Sequence, residues 1–124
     1  MGTGRILFVD DEEAIVEWGQ GVLTRLGYTV IASRSSGEAL EAFKKDGAFD
    51  LVITDHTMPG MTGLLLAAEL LKIRPDLPII LCTGYSESVS RETALGVGIK
   101  EFLMKPLSKE QIARSIHKVL QKDT

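Results

Sequence analysis

Cysteine is almost missing from this chain. Cys82 is the only one in 124 residues, and a lone thiol excludes an internal disulfide framework. Its place in the apolar run Ile79-Ile80-Leu81-Cys82 reads as a small buried hydrophobe in preference to a reactive thiol. No apolar run approaches the ~20 residues that span a bilayer. No signal-peptide pattern precedes the first strand-like segment, so no membrane contact is expected. Basic excess is absent as well: 14 Lys and Arg against 17 Asp and Glu leave a net charge of −3, without the footprint of a nucleic-acid binder. Met1-Gly2 is followed by Ile6 where a myristoylation signal carries Ser or Thr. There is no internal repeat, linker or low-complexity tract. The cytoplasm is the expected location.

What is present is ordinary globular composition, 44% hydrophobic and 25% charged, at the length of one domain with one core. The expectation is a single domain over residues 1–124 with no attached output domain. Strand-like and helix-like segments alternate five times. Ile6-Leu7-Phe8-Val9, Leu51-Val52-Ile53-Thr54, Ile79-Ile80-Leu81-Cys82 and Phe102-Leu103-Met104 are short continuous apolar runs, with a shorter one at Val30-Ile31. Such runs between helical stretches read as parallel strands buried on both faces.

Ile15, Trp18, Val22 and Leu26 stripe a first helix that Gly27 ends, and Leu40 and Phe43 mark a second after Ser36-Gly37. Leu66, Leu70 and Ile73 stripe a third, stopped near Pro75; a fourth, roughly Glu87 to Leu95, has the weakest stripe. Ser108 caps a fifth helix that buries Ile112, Ile116, Val119 and Leu120. This alternation predicts a right-handed α/β sandwich with helices on both faces of the sheet.

Polar residues stand just past four of the apolar runs: Asp10 and Asp11, Asp55, Thr83 and Lys105. Ligand sites in such sheets lie outside the carboxyl ends of the strands, where strand order reverses. All of these side chains are therefore expected to open onto one crevice. Two carboxylates about 4 Å apart repel by roughly 4 kcal/mol at an effective dielectric near 20, so Asp10, Asp11 and Asp55 demand a compensating cation or a raised pKa. Lys105 supplies one positive charge, and an all-oxygen site with few protein ligands suits Mg²⁺ for the rest. With charge neutralised, a carboxylate becomes a nucleophile toward a phosphoryl group, giving an aspartyl phosphate. Mg²⁺ and Lys105 would stabilise the transferring group, with a hydrogen bond from Thr83 to a phosphoryl oxygen.

Val9-Asp10-Asp11-Glu12, Thr54-Asp55-His56-Thr57-Met58-Pro59-Gly60, Thr83-Gly84 and Lys105-Pro106 together resemble the receiver domain of two-component response regulators. The resemblance covers nearly the whole chain, in order. It implies a flavodoxin-like, doubly wound (βα)5 sandwich whose parallel sheet runs 2-1-3-4-5. It implies that Asp55 accepts a phosphoryl group from the phosphohistidine of a sensor histidine kinase or phosphotransfer protein. Asp11 and Asp55 would bind Mg²⁺ directly with the backbone carbonyl of Thr57, while Asp10 acts through water. Lys105 would contact the phosphoryl group, and Pro106 would follow a cis peptide bond. Phosphorylation would draw Thr83 inward and let Phe102 rotate with it, changing a surface read by a downstream protein. The face of the fourth and fifth helices is the implied target or homodimer contact. Two departures stand out: Phe102 replaces the Tyr of many members, and Thr57 occupies a variable position facing the acceptor. Gly84-Tyr85-Ser86-Glu87 resembles the segment of receivers at the carboxyl end of hybrid sensor kinases.

Plainer readings sit beside these. The acidic run Asp10-Asp11-Glu12 also suits the N-terminus of the first helix. His56 reads as an exposed loop side chain, His117 as solvent-facing, and Trp18 as core. A loosely held fourth helix beside Thr83 and Phe102 would suit an element that shifts. A phosphatase with a strand-end aspartate nucleophile needs a second acid two residues on, where Thr57 stands. A flavodoxin-like cofactor loop would follow the first strand, where the acidic pair repels phosphate. Gly96-Val97-Gly98 precedes a strand and opens no helix, so the dinucleotide fingerprint is absent. A non-phosphorylated docking module on the same fold is the remaining alternative.

Overall fold

The computed structural model describes residues 4–84 and 90–120. Strand β1 (Arg5–Val9) leads to helix α1 (Glu13–Arg25), then β2 (Thr29–Ser33) and α2 (Ser36–Lys45). There follow β3 (Leu51–Asp55), α3 (Gly63–Ile73), β4 (Ile79–Thr83), α4 (Arg91–Val97), β5 (Glu101–Met104) and α5 (Lys109–Leu120). The five strands form one sheet in the order β2-β1-β3-β4-β5, and every neighbouring pair is parallel. This is the flavodoxin-like topology expected from the sequence.

Alternate residues along each strand enter opposite cores, as a pleated strand requires. Leu7, Val9, Val52, Ile79, Leu81 and Phe102 join one apolar layer with Ala39, Phe43, Leu66 and Leu70 of α2 and α3. Ile6, Phe8, Leu51, Ile53, Ile80 and Leu103 join the other with Val22, Leu23, Ile112 and Ile116 of α1 and α5. Each fully buried Leu, Ile or Phe contributes about 2 kcal/mol, so the central strands anchor the fold. Side-chain caps set several helix starts: Ser35 accepts from the Glu38 N–H, Thr62 from Leu65, Ser90 from Thr93 and Ser108 from Gln111.

The helix stripes differ from the sequence reading at three places. In α1 the buried line is Val16, Gly19, Val22 and Leu23, whereas Ile15, Trp18 and Leu26 are partly buried along its flank. The cause is Gly19: a Cβ there would lie 2.5 Å from two ring atoms of Phe8, so the helix meets the sheet through its glycine and the bulkier residues sit to either side. In α3, Ile73 is 49% exposed at the last turn; Leu66 and Leu70 carry the packing. In α5, Ile112 and Ile116 are fully buried while Val119 and Leu120 are only partly so. The described part of the fourth helix begins at Arg91 and buries only Ala94, in keeping with its weak stripe; the expected start near Glu87 lies outside the described residues. Among the described residues no helix is long and apolar enough to cross a membrane.

Candidate functional site

Sheet register brings the acidic residues together. Val9 pairs with Thr54, so the next residues, Asp10 and Asp55, emerge side by side where strand order reverses between β2 and β3 around β1. Asp10 is 2% and Asp55 4% exposed, and Asp11 is half-buried. One carboxylate oxygen from each of the three lies within 4.8 Å of the others. Asp10 also accepts from the Glu12 N–H at 3.0 Å, a local turn just ahead of α1, whose N-cap residue Glu12 makes no side-chain capping bond. Thr83 pairs with Met104 on β5, which delivers Lys105 to the same end of the sheet. Its Nζ lies 3.1 Å from Asp10 Oδ2 and 2.8 Å from Asp55 Oδ1, and its N–H donates to the Thr83 carbonyl at 2.7 Å. The Lys105-Pro106 peptide is cis.

Burial alone would lower the Lys105 pKa, but the hydrogen bonds and charges of Asp55 and Asp10 outweigh it and hold the ammonium above its ordinary value. One ammonium against three carboxylates leaves a surplus of negative charge in a site that is mostly out of water. The donor set is all oxygen, and Asp11 keeps one side of it open to solvent. These residues fit a hard divalent cation that retains water, as Mg²⁺ does. On the rim, Arg34 donates to the Asp11 carbonyl at 3.3 Å.

The loop after β3 wraps this pocket. Thr57 is exposed and Met58 is buried at 5% exposure, while the Ser36 hydroxyl donates to the Met61 carbonyl at 2.7 Å. His56 differs from the sequence reading: it is half-buried, and its Nδ1 is shut off from solvent with no hydrogen-bond partner among the described residues. The loop folds back tightly, with the Gly63 N–H donating to the His56 carbonyl at 2.8 Å, which draws the residue against the sheet. Gly63 went unnoticed in the sequence. A Cβ there would lie 2.9 Å from the Asp55 carbonyl carbon and from His56 Cα, and closer still to the Asp55 carbonyl oxygen. Only glycine lets α3 start this close to the residue carrying the carboxylate.

Thr83 is 1% exposed and its hydroxyl does not point into the acidic cluster; it donates to Met104 Sδ at 3.5 Å. Phe102 is buried at 7% exposure beneath the Arg91 guanidinium, 5.6 Å from the ring centroid, and Arg91 donates to the Phe102 carbonyl at 3.3 Å. Glu101 is another residue the sequence did not single out. Its carboxylate lies 3.8 Å from Arg91 of α4 and 3.2 Å from Lys118 of α5, tying both helices to the edge strand. Its only prior signal was an acid opening an apolar run. His117 is exposed, as expected. Tyr85, Ser86 and Glu87 of the segment after Thr83 lie outside the described residues.

A doubly wound sheet with an acidic, lysine-bridged pocket at its switch point defines a class of α/β signalling domains. Residues 6–117 match the family model for the response regulator receiver domain, and the chain belongs to that family. Among relatives, it is 36% identical over 122 residues to the sensor kinase CckA of Brucella abortus, covering 98% of this chain and 13% of that protein. It is 32% identical over 116 residues to the chemotaxis protein CheY of Thermotoga maritima, covering 93% of this chain and 96% of that one. A response regulator receiver domain protein from Clostridium thermocellum superposes with a TM-score of 0.91 at 30% identity, covering 95% of this chain and 94% of the other. The chain thus spans a small part of the kinase and nearly all of the chemotaxis protein. As a receiver domain of two-component signalling, it is a switch module.

Proposed function

We propose that Asp55 is the phosphoacceptor of this receiver, taking a phosphoryl group from the phosphohistidine of a sensor histidine kinase or phosphotransfer protein. The observation that carries the reading is the Lys105 ammonium set between Asp10 and Asp55, at 3.1 and 2.8 Å. It supplies a fixed positive charge where a transferring phosphoryl group would develop negative charge. A carboxylate oxygen of Asp55 attacks phosphorus, the phosphorus–nitrogen bond breaks, and the imidazole nitrogen leaves with the electron pair. Asp11, Asp55 and the Thr57 carbonyl would hold Mg²⁺ directly, with Asp10 acting through water; bound there, Mg²⁺ offsets the surplus carboxylate charge and polarises phosphoryl oxygens.

Thr83 then leaves Met104 and donates to a phosphoryl oxygen. Phe102 responds on the neighbouring strand, and the α4–β5–α5 face changes for a downstream protein or a second copy of the chain. Because Phe102 has no hydroxyl, its part in the switch is packing, with no hydroxyl latch to the partner surface. Turnover is limited to the domain's own phosphorylation and dephosphorylation, in the cytoplasm, without nucleic-acid or membrane contact by this unit.

Intact mass after incubation with acetyl phosphate, with and without Mg²⁺, tests the reading. One Mg²⁺-dependent phosphoryl adduct that disappears in Asp55→Asn is expected. An adduct that persists in the variant, or that forms equally without Mg²⁺, would overturn the assignment. No adduct from acetyl phosphate or from a phosphohistidine donor would favour a docking module.

A further inference from the structure

The methionine that meets the switch hydroxyl is an exposed residue. Met104 is 41% exposed, on the edge strand β5, and its Sδ accepts the Thr83 hydroxyl at 3.5 Å. Among the described residues the other sulfurs are better protected. Met58 is 5% exposed and Cys82 2%, and Met61 is half-buried. Burial pushes the Cys82 thiol up to about 12, so it carries almost no reactive thiolate at neutral pH. A threonine hydroxyl has one proton to donate, so it serves one acceptor at a time. A thioether is a weak acceptor, and charged phosphoryl oxygens compete for that proton with ease.

We propose that Met104 is an oxidation-sensitive modification site that gates Thr83, with a peroxide as the oxidant and methionine sulfoxide as the restraining form. The proposal rests on the reading that Thr83 serves the phosphoryl group on Asp55. The sulfur lone pair attacks a peroxide oxygen, the oxygen–oxygen bond breaks, and a sulfur–oxygen bond forms. Sulfur loses two electrons, and hydrogen peroxide, after a proton shift, leaves as water. The new oxygen is a strong acceptor one bond beyond Sδ, within reach of a hydroxyl now 3.5 Å from that sulfur. It holds Thr83 at the edge of the sheet and away from the phosphoryl group. The change is reversible, because methionine sulfoxide is reduced enzymatically.

The experiment treats the protein with hydrogen peroxide and maps oxygen uptake by peptide mass. The initial rate of Mg²⁺-dependent phosphorylation from acetyl phosphate is then measured. Met104 should oxidise ahead of Met58, and the rate should fall by about fivefold, the scale of one hydrogen bond's net contribution. Methionine sulfoxide reductases should restore it. Met104→Leu and Thr83→Ala, each compared with its own untreated sample, should lose nothing further on oxidation. Full oxidation of Met104 with an unaltered rate would overturn the proposal, as would resistance of Met104 to peroxide. Equal loss in Met104→Leu would assign the effect to another residue. An untreated wild-type protein that takes no phosphoryl group would refute the acceptor reading itself, and the gate with it.

Discussion

Gly63→Ala separates packing beside Asp55 from every electrostatic effect. The added methyl would sit 2.9 Å from the Asp55 carbonyl carbon and from His56 Cα, against 3.4 Å or more for ordinary contact, and nearer still to the Asp55 carbonyl oxygen. These atoms are backbone and cannot rotate away. β3 is held as well, since the His56 N–H donates to the Cys82 carbonyl at 2.9 Å. Relief must come from α3, whose first turn would swing outward. That motion would break the Gly63-to-His56 hydrogen bond and strain the one from Ser36 to Met61. It would also pull on the fully buried Leu66, Ala67 and Leu70. A lost hydrogen bond at about 1 kcal/mol and overpacking at roughly 2 kcal/mol give about 3 kcal/mol. At this chain length that is roughly 10 °C in Tm. Urea unfolding followed by circular dichroism and Trp18 fluorescence measures it. Gly37→Ala is the control, because a Cβ there meets nothing within 4 Å and should stabilise α2 by up to about 1 kcal/mol. A Gly63→Ala protein within about 0.5 kcal/mol of wild type would refute the argument that the close approach matters.

Other perturbations probe the pocket directly. Lys105→Met strands two buried carboxylates and should cost about 3 kcal/mol, part of it regained with millimolar Mg²⁺; equal loss with and without Mg²⁺ in chemical denaturation would contradict the charge argument. Asp11→Asn should weaken Mg²⁺ binding in a calorimetric titration while leaving the fold intact, and unchanged affinity would remove Asp11 from the proposed ligand set. Cys82 carries an alkaline signature: its ordinary pKa of 9.0 is pushed up to about 12 by burial, so above pH 9 the folded state keeps a proton that the unfolded state releases. Stability then falls as pH rises, by about 1.4 kcal/mol per unit for this group, and the slope should shrink in Cys82→Ala; identical slopes would mean that the thiol ionises alike in both states.

Much of this site was legible because buried parallel strands announce themselves. A run such as Ile6-Leu7-Phe8-Val9 needs apolar residues on both faces, so the first polar side chain past its end marks the ligand edge of the sheet. Asp10, Asp55 and Lys105 were found on that basis and lie together in the structure. Thr83 was placed at the right strand end, yet its hydroxyl faces Met104. Sheet register decides that pairing, and no local pattern encodes it. Gly63 and Gly19 were missed for a related reason: each is dictated by a backbone or ring from a distant element, and glycine alone does not say what approaches it. Trp18 and Ile73 were assigned to core stripes because periodicity gives the face of a helix but not its distance from the sheet. The ion pairs of Glu101 with Arg91 and Lys118 join three elements, and only the assembled fold brings them within reach.

The central claim concerns a single carboxylate, and chemical trapping addresses it most directly. Protein phosphorylated with acetyl phosphate and Mg²⁺ would be reduced with borohydride, which converts an aspartyl phosphate to homoserine, and the modified position read by peptide mass spectrometry. The account predicts modification at position 55 alone, lost when Mg²⁺ is withheld. Modification at Asp10 or Asp11, with Asp55 untouched, would contradict it.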